Sequence, residues 1–262
     1  MNAPSSTTAP LLAARGLGVA IGARTLCRDL ELELRHGERL AILGRNGAGK
    51  STLLSTLAGL REPQAGCVEL VGQPYAALSA REAARRRGWL PQAQHDAFAS
   101  TVLETALIGR HPHLGRWEWE SAADTEFART ALRCVGLDAL AAREVQGLSG
   151  GERQRLAVAT LLTQEPDLYL LDEPLAHLDL NHAVAILDVF AGCAAQGAGV
   201  VMVLHEPGLA ARYCDRALLL FDDGRWLLDT VERALTAERL STLYGHPLKE
   251  LRDGAQRWFV PA

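Results

Sequence analysis

The chain of 262 residues carries a formal charge of −4, with 48% hydrophobic and 22% charged residues. This is ordinary globular composition with length for one or two domains, and it excludes disordered, fibrous and coiled-coil classes. The mild acidity argues against a dedicated nucleic-acid binder, which presents a strongly basic face.

Residues 1–10 hold Ser, Thr and Pro with no basic start and no apolar core. They read as a disordered lead-in rather than a secretion signal. Leu30-Glu31-Leu32-Glu33-Leu34 alternates strictly, the mark of a half-buried strand. After a turn at His36-Gly37-Glu38, the run Leu40-Ala41-Ile42-Leu43 reads as a strand buried on both faces. Leu53, Leu54, Leu57 and Leu60 then recur at helical spacing. Residues 101–108, 121–135 and 149–162 carry the same period, with Ser121 and Ser149 as N-caps. Short buried strands return at 168–171 and 200–204. Residues 216–221 and 225–229 form a hairpin across Asp222-Asp223-Gly224, followed by short helices. Buried strands alternating with helices imply a mostly parallel α/β sheet interrupted by a helical insertion. The longest apolar stretch, 184–204, is broken by Asp188, Gln196 and glycines 192, 197 and 199. It falls short of a span, which needs roughly 20 apolar residues. Cys27, Cys67, Cys134, Cys193 and Cys214 lie far apart with no C-x-x-C pair, so reduced thiols are expected and zinc is not. The Arg85-Arg86-Arg87 run reads as a solvated helix face.

Gly44-Arg45-Asn46-Gly47-Ala48-Gly49-Lys50-Ser51 matches G-x-x-x-x-G-K-S/T at every fixed position, between a buried strand and a helix. Such a loop wraps backbone N–H groups around phosphates, and the helix turns its positive end to the same anion. Lys50, one of only two lysines in the chain, would meet the outer phosphates, and Ser51 would offer its hydroxyl to magnesium. Leu168-Tyr169-Leu170-Leu171 ends in Asp172 and Glu173. Asp172 suits a magnesium-holding role, and Glu173, one step further out, suits orienting or deprotonating an attacking water. Leu148-Ser149-Gly150-Gly151-Glu152 opens a long helix with glycines that weaken a purely structural start. They suit close approach to a second anion site.

Together these residues resemble the nucleotide-binding subunit of ABC transporters, over nearly the whole chain from about Leu11. Residues 44–51, with Thr52, match Walker A, and Leu168–Asp172 matches Walker B with Glu173 at the catalytic glutamate. Leu148, Ser149, Gly150, Gly151 and Glu152 match the signature. Gln92 matches the Q-loop glutamine, residues 175–179 the D-loop ending in Asp179, and His205 the switch histidine. The resemblance implies a P-loop ATPase core with a mostly parallel sheet, an antiparallel β subdomain and a helical insertion. Residues 11–262 would be one domain, its RecA-like core at about 11–91 and 165–262 and its helical subdomain at about 92–164. It further implies ATP and Mg²⁺ as ligands and a head-to-tail homodimer. Each ATP would lie between the Walker A loop of one subunit and the signature of the other. Ser51, Gln92 and Asp172 would hold the metal, and His205 would meet the γ-phosphate.

Three departures stand out. Ile21 occupies the place of the aromatic residue that stacks on adenine, so apolar contact replaces ring stacking. Glu206-Pro207-Gly208 follows His205, with Pro207 tolerable in a helix's first turn. Leu175 stands where Ser or Thr is common before the D-loop. Gly109-Arg110-His111-Pro112-His113, residues 176–180 and residues 210–215 resemble the ATPases of iron-siderophore, haem and vitamin B12 importers. Leu114-Gly115-Arg116-Trp117-Glu118-Trp119 leans slightly towards cobalamin. Such a subunit would lie peripherally on the cytoplasmic face of the inner membrane. Its partners would be a transmembrane permease and a periplasmic substrate-binding protein, with no nucleic acid. The alternatives are an exporter ATPase or a soluble ABC ATPase. The short spacing between Lys50 and Ser149 and the single cassette speak against the soluble one.

Overall fold

The computed structural model describes residues 9–92, 99–254 and 256–262. Most of the expected lead-in, and residues 93–98 of the expected helical segment, lie outside the described residues. Two long strands open the chain, β1 (Leu12–Ile21) and β2 (Arg24–Leu34), paired antiparallel. β3 (Arg39–Leu43) leads through the glycine loop into α1 (Lys50–Leu57). β4 (Ala65–Leu70) and β5 (Gln73–Pro74) return to the first pair, giving a four-stranded antiparallel sheet ordered β2-β1-β4-β5. This is the expected antiparallel β subdomain.

α2 (Ala80–Arg86) and β6 (Arg87–Leu90) precede the helices α3 (Val102–Leu107), α4 (Ala122–Cys134) and α5 (Gly150–Gln164). Thr101, Ser121 and Ser149 cap these three, each in a reciprocal box with the acid three residues on. The Arg85-Arg86-Arg87 reading needs correction. Arg85 and Arg86 are exposed at the end of α2, but Arg87 opens β6 and is half-buried. There it lies 5.7 Å from the Tyr75 ring and donates to the carbonyl of Ala58.

β7 (Leu168–Asp172), α6 (Leu180–Ala195), β8 (Gly199–Val203), α7 (Pro207–Tyr213) and β9 (Arg216–Leu220) follow. β10 (Trp226–Thr230) pairs antiparallel with β9, the expected hairpin. α8 (Val231–Ala234) and α9 (Ala237–Tyr244) are the expected short helices. The chain then continues into a second hairpin, β11 (Leu248–Asp253) with β12 (Gln256–Pro261), which the sequence reading did not anticipate.

The large sheet runs β10-β9-β3-β8-β7-β6, and all its pairings but β9–β10 are parallel. Every residue of β7 and β8 is buried, as the unbroken apolar runs require. The pleat sends alternate side chains to opposite faces. Ala41, Leu43, Tyr169, Leu171, Val200 and Met202 join the core under the helices. Leu40, Ile42, Leu168, Leu170, Val201 and Val203 join a second core shared with α1 and the antiparallel sheet. Two cores thus clamp the parallel sheet and fix where its strands end.

Candidate nucleotide site

β9, β3, β8, β7 and β6 end on the same edge, and each is followed by a residue of interest. In sheet order these are Asp222, the glycine loop, His205, Asp172-Glu173 and Gln92. Ligands of open α/β sheets gather at such carboxyl ends. A cleft of about 350 Å³ lies there. Its walls include Asn46, Gly47, Gly49, Lys50, Ser51 and Thr52 from the loop and α1. Ile21, Gln92, Glu173 and His205 complete it.

The loop holds its shape through residues that the motif requires. Gly49 caps α1 at φ +97°, and a side-chain carbon there would lie 2.5 Å from Leu26. Gly44 lies so close to the carbonyl of Leu220 that an added carbon would come within 2.6 Å of it. Ala48 is buried beneath the loop. Lys50 is only 5% exposed, and its Nζ donates to the carbonyls of Gly44 (3.0 Å) and Arg45 (3.1 Å). Burial pushes its pKa below the usual lysine value, while Glu173, Asp172 and Asp222 act in the opposite sense.

Three contacts at the loop go beyond the motif. Arg24 donates to the carbonyl of Gly47 at 2.9 Å. Asp222 pairs with Arg45 at 3.3 Å and with Arg24 at 3.5 Å. In sequence Asp222 is only a turn residue, because its place beside the loop depends on β9 pairing with β3.

Asp172, 2% exposed, has its carboxyl pushed above the usual carboxylate range by burial, against a hydrogen bond from the Ser51 hydroxyl. Its Oδ1 is buried with no hydrogen-bond partner among the described residues. A bare carboxylate oxygen beside a hydroxyl is the hard oxygen set that a magnesium ion takes. The residues present therefore fit that metal.

Glu173 sits at φ +52°, a left-handed conformation that L-residues adopt rarely. Its Oε1 lies 2.8 Å from Nε2 of His205. The two residues, read separately from the sequence, form one pair. Behind them a cavity of about 170 Å³ is lined by Leu175, Ala176, Leu204 and Leu209 among others. Leu175, one of the departures, thus backs the pair with apolar surface. Ile21 is 49% exposed at the rim of the nucleotide cleft.

The signature residues Leu148, Ser149, Gly150, Gly151 and Glu152 do not line this cleft, and neither does Asp179. They gather elsewhere. A side-chain carbon on Gly151 would lie 3.1 Å from the carbonyl of His177. Asp179 caps α6 through the backbone N–H of His182 (2.8 Å). Buried Gln154 donates to the carbonyl of Pro174 at 3.0 Å, tying α5 to the turn after Glu173. One chain therefore carries two separate surfaces, one built around Lys50 and one at the exposed start of α5.

The ABC transporter family profile matches residues 27–176. The hemin import ATP-binding protein HmuV of Gloeobacter violaceus is 43% identical over 242 residues, covering 90% of this chain and 87% of its own. HmuV of Deinococcus radiodurans is 42% identical, with 92% of each chain covered. The chain belongs to the ABC transporter family. The cobalamin import ATP-binding protein BtuD of Halobacterium salinarum is 41% identical over 80% of this chain and 52% of its own. Among solved structures, an inward-facing metal-chelate type ABC transporter superposes with a TM-score of 0.84 at 31% identity. That match covers 97% of this chain and 98% of the other. The P-loop ABC ATPase fold read from the motifs is the fold observed, and the chain is an ATP-binding, ATP-hydrolysing subunit of this family. No helix among the described residues is long and apolar enough to cross a membrane.

Proposed function

We propose that this chain powers uptake of haem, or of a related metal chelate, by hydrolysing ATP at a site completed by a second copy of itself. The observation that carries the reading is the pair of separate surfaces. Lys50, Ser51, Glu173 and His205 line one cleft, while the glycine-rich start of α5 does not line it. Head-to-tail pairing brings the two together. The relatives named for hemin import span nine-tenths of the chain, which favours haem over cobalamin.

In this reading the backbone of residues 44–50 and the Lys50 ammonium hold the β- and γ-phosphates. Ser51, Asp172 and Gln92 would hold Mg²⁺. That ion, when bound, neutralises charge on the phosphate oxygens. Glu173 accepts a proton from a water that attacks the γ-phosphorus in line, and ADP leaves with the bridging oxygen. His205 donates to Glu173 and turns to steady the γ-phosphate. Ser149 and Gly151 of the opposing copy close the site, with Asp179 near the seam. Residues 11–262 then act as one ATPase domain, with the helical segment 92–164 turned towards the membrane partner. Trp117 and Trp119, 86% and 88% exposed, lie on that segment and give the permease an aromatic surface. The assembly would lie peripherally on the cytoplasmic face of the inner membrane, with a transmembrane permease and a periplasmic binding protein and no nucleic acid.

Recovery of the tagged chain from detergent-solubilised native membranes tests this. A multi-span permease should be recovered with the wild type and depleted with Trp117→Ala/Trp119→Ala. Recovery of ribosomal or DNA-repair partners without a permease would overturn the transport reading.

A further inference from the structure

The structure assigns a positioning role to the C-terminal hairpin: anchored by Arg257, it straps the helix after His205 and so holds the Glu173–His205 pair in register. This inference rests on the role proposed for His205.

Beyond its contact with Glu173, His205 has little of its own to hold it. Its side chain is 46% exposed, so packing around the ring does not set its place. The backbone does. Upstream, Leu204 is tied to β3 through its N–H to the carbonyl of Ile42 (3.2 Å). Downstream lies α7, a seven-residue helix with Pro207 at its start and no side-chain cap. A helix this short is marginal without tertiary support.

That support comes from the last residues of the chain. β12 lies against the first turn of α7 so closely that a side-chain carbon on Gly208 would approach the carbonyl of Arg257 to 3.2 Å. It would also lie 3.9 Å from the Trp258 ring. Phe259, Leu248, Tyr244 and Leu209 pack onto the same core. The Tyr244 hydroxyl donates to the carbonyl of His205 itself, at 3.5 Å. One residue on, a side-chain carbon built on Gly245 would lie 3.9 Å from the Arg45 guanidinium of the phosphate loop. The end of α9 therefore bonds the loop of His205 and lies close to the phosphate loop.

Arg257 fastens the hairpin. Its side chain is only 7% exposed, yet it is well partnered. It donates to Glu250 of β11 (2.6 Å), to Glu232 (3.3 Å) and to the carbonyl of Val231 (3.3 Å) in α8, and to the carbonyl of Leu235. A guanidinium with this many fixed acceptors is a rigid joint, and lysine cannot reproduce its fork.

The strap predicts a loss of turnover without loss of binding. Arg257→Met should lower kcat for ATP about tenfold while the KM and the affinity for a fluorescent ATP analogue stay within about twofold. Arg257→Lys should recover part of the rate. Because the effect passes through His205, Arg257→Met should cost nothing further in a His205→Ala background, read in single turnovers with enzyme in excess. Tyr244→Phe removes only the hydroxyl on His205 and decides the matter if Arg257→Met fails to fold; it should lower kcat about threefold with KM held. A folded Arg257→Met chain turning over at the wild-type rate, or losing the same factor without His205, overturns the strap. Wild-type turnover by His205→Ala alone would instead remove the proposed role of that histidine.

Discussion

Glu173 stands in a left-handed backbone conformation at the mouth of the cleft, with its carboxylate 2.8 Å from His205. Strained residues of this kind gather where a side chain must be aimed. If Glu173 takes the proton of the attacking water, Glu173→Gln should keep ATP binding and lower turnover by about a hundredfold or more. It should also accumulate an ATP-bound dimer on gel filtration; hydrolysis near the wild-type rate would remove the assignment. Asp172 makes a second case. Burial raises its folded-state pKa, so the unfolded chain gives up this proton first as pH rises. The native state then carries a penalty that is full above the folded value and absent below the unfolded one. Asp172→Asn should therefore melt about 1–3 °C higher than the wild type at neutral pH when nucleotide is withheld, and lose that advantage as pH falls through the carboxylate range. The same variant should lose magnesium-dependent hydrolysis. Ile21 sits half-exposed at the rim where it offers no ring to adenine, and Ile21→Tyr should sharpen the ATP-over-GTP preference in competition binding. Of these residues, Lys50, Ser51 and Asp172 were legible because motif and neighbouring element are local in sequence. The contact between Glu173 and His205, and the approach of Asp222 to Arg45, were not, because each depends on which strands lie side by side.

At the scale of elements, the caps and buried runs were the legible part. Ser121 and Ser149 start their helices as read, and the all-apolar runs at β3, β7 and β8 became the central strands. The helical insertion owes part of its hold to a joint at Arg110, whose structural role the resemblance of residues 109–113 does not reveal. Arg110, at the end of the turn after α3, pairs with Asp124 of α4 at 2.9 Å and with Glu165 at 3.1 Å. It also donates to the carbonyl of Thr163 and lies 4.5 Å from the Phe127 ring. Asp124 is at once the acid of the Ser121 capping box and a partner of Arg110. The cap, with Arg110 behind it, holds its carboxyl down at about 2. The stability it supplies is complete above the ordinary aspartate value and is lost as pH falls towards that figure. Asp124→Ala should destabilise the fold by about 1–2 kcal/mol at neutral pH in urea titrations, with the deficit shrinking below pH ~4. An unchanged midpoint at neutral pH would remove this joint from the account. The C-terminal hairpin escaped the reading for a physical reason. Its strands are mostly exposed, so Leu248–Asp253 shows no clean alternation.

For the whole molecule, the decisive feature is that the start of α5 lies outside the cleft of its own chain, which in the proposed reading makes it half of a different site. The phosphate loop and the acids of β7 meet within a chain because five strands end together. The start of α5 sits apart, pressed against the turn before α6 and pinned by Gln154 to the backbone just after Glu173. In the proposed reading, closing the second half onto ATP requires another copy. The Gln154 contact also links α5, through Pro174, to the strand that carries Asp172. The sequence located both motifs but not their separation, since spacing along the chain does not report which strand ends share a cleft. A charge-bulky change at the exposed cap separates the two roles. Ser149→Arg, placed in the Glu173→Gln background, should leave ATP binding by the monomer within about twofold, because Ser149 does not line the cleft of its own chain. It should abolish the ATP-driven dimer on gel filtration, since an arginine at the cap blocks the close approach that Gly150 and Gly151 permit. Loss of monomer binding would show that the cap serves its own nucleotide. An intact dimer would show that the second half of the site lies elsewhere on the surface.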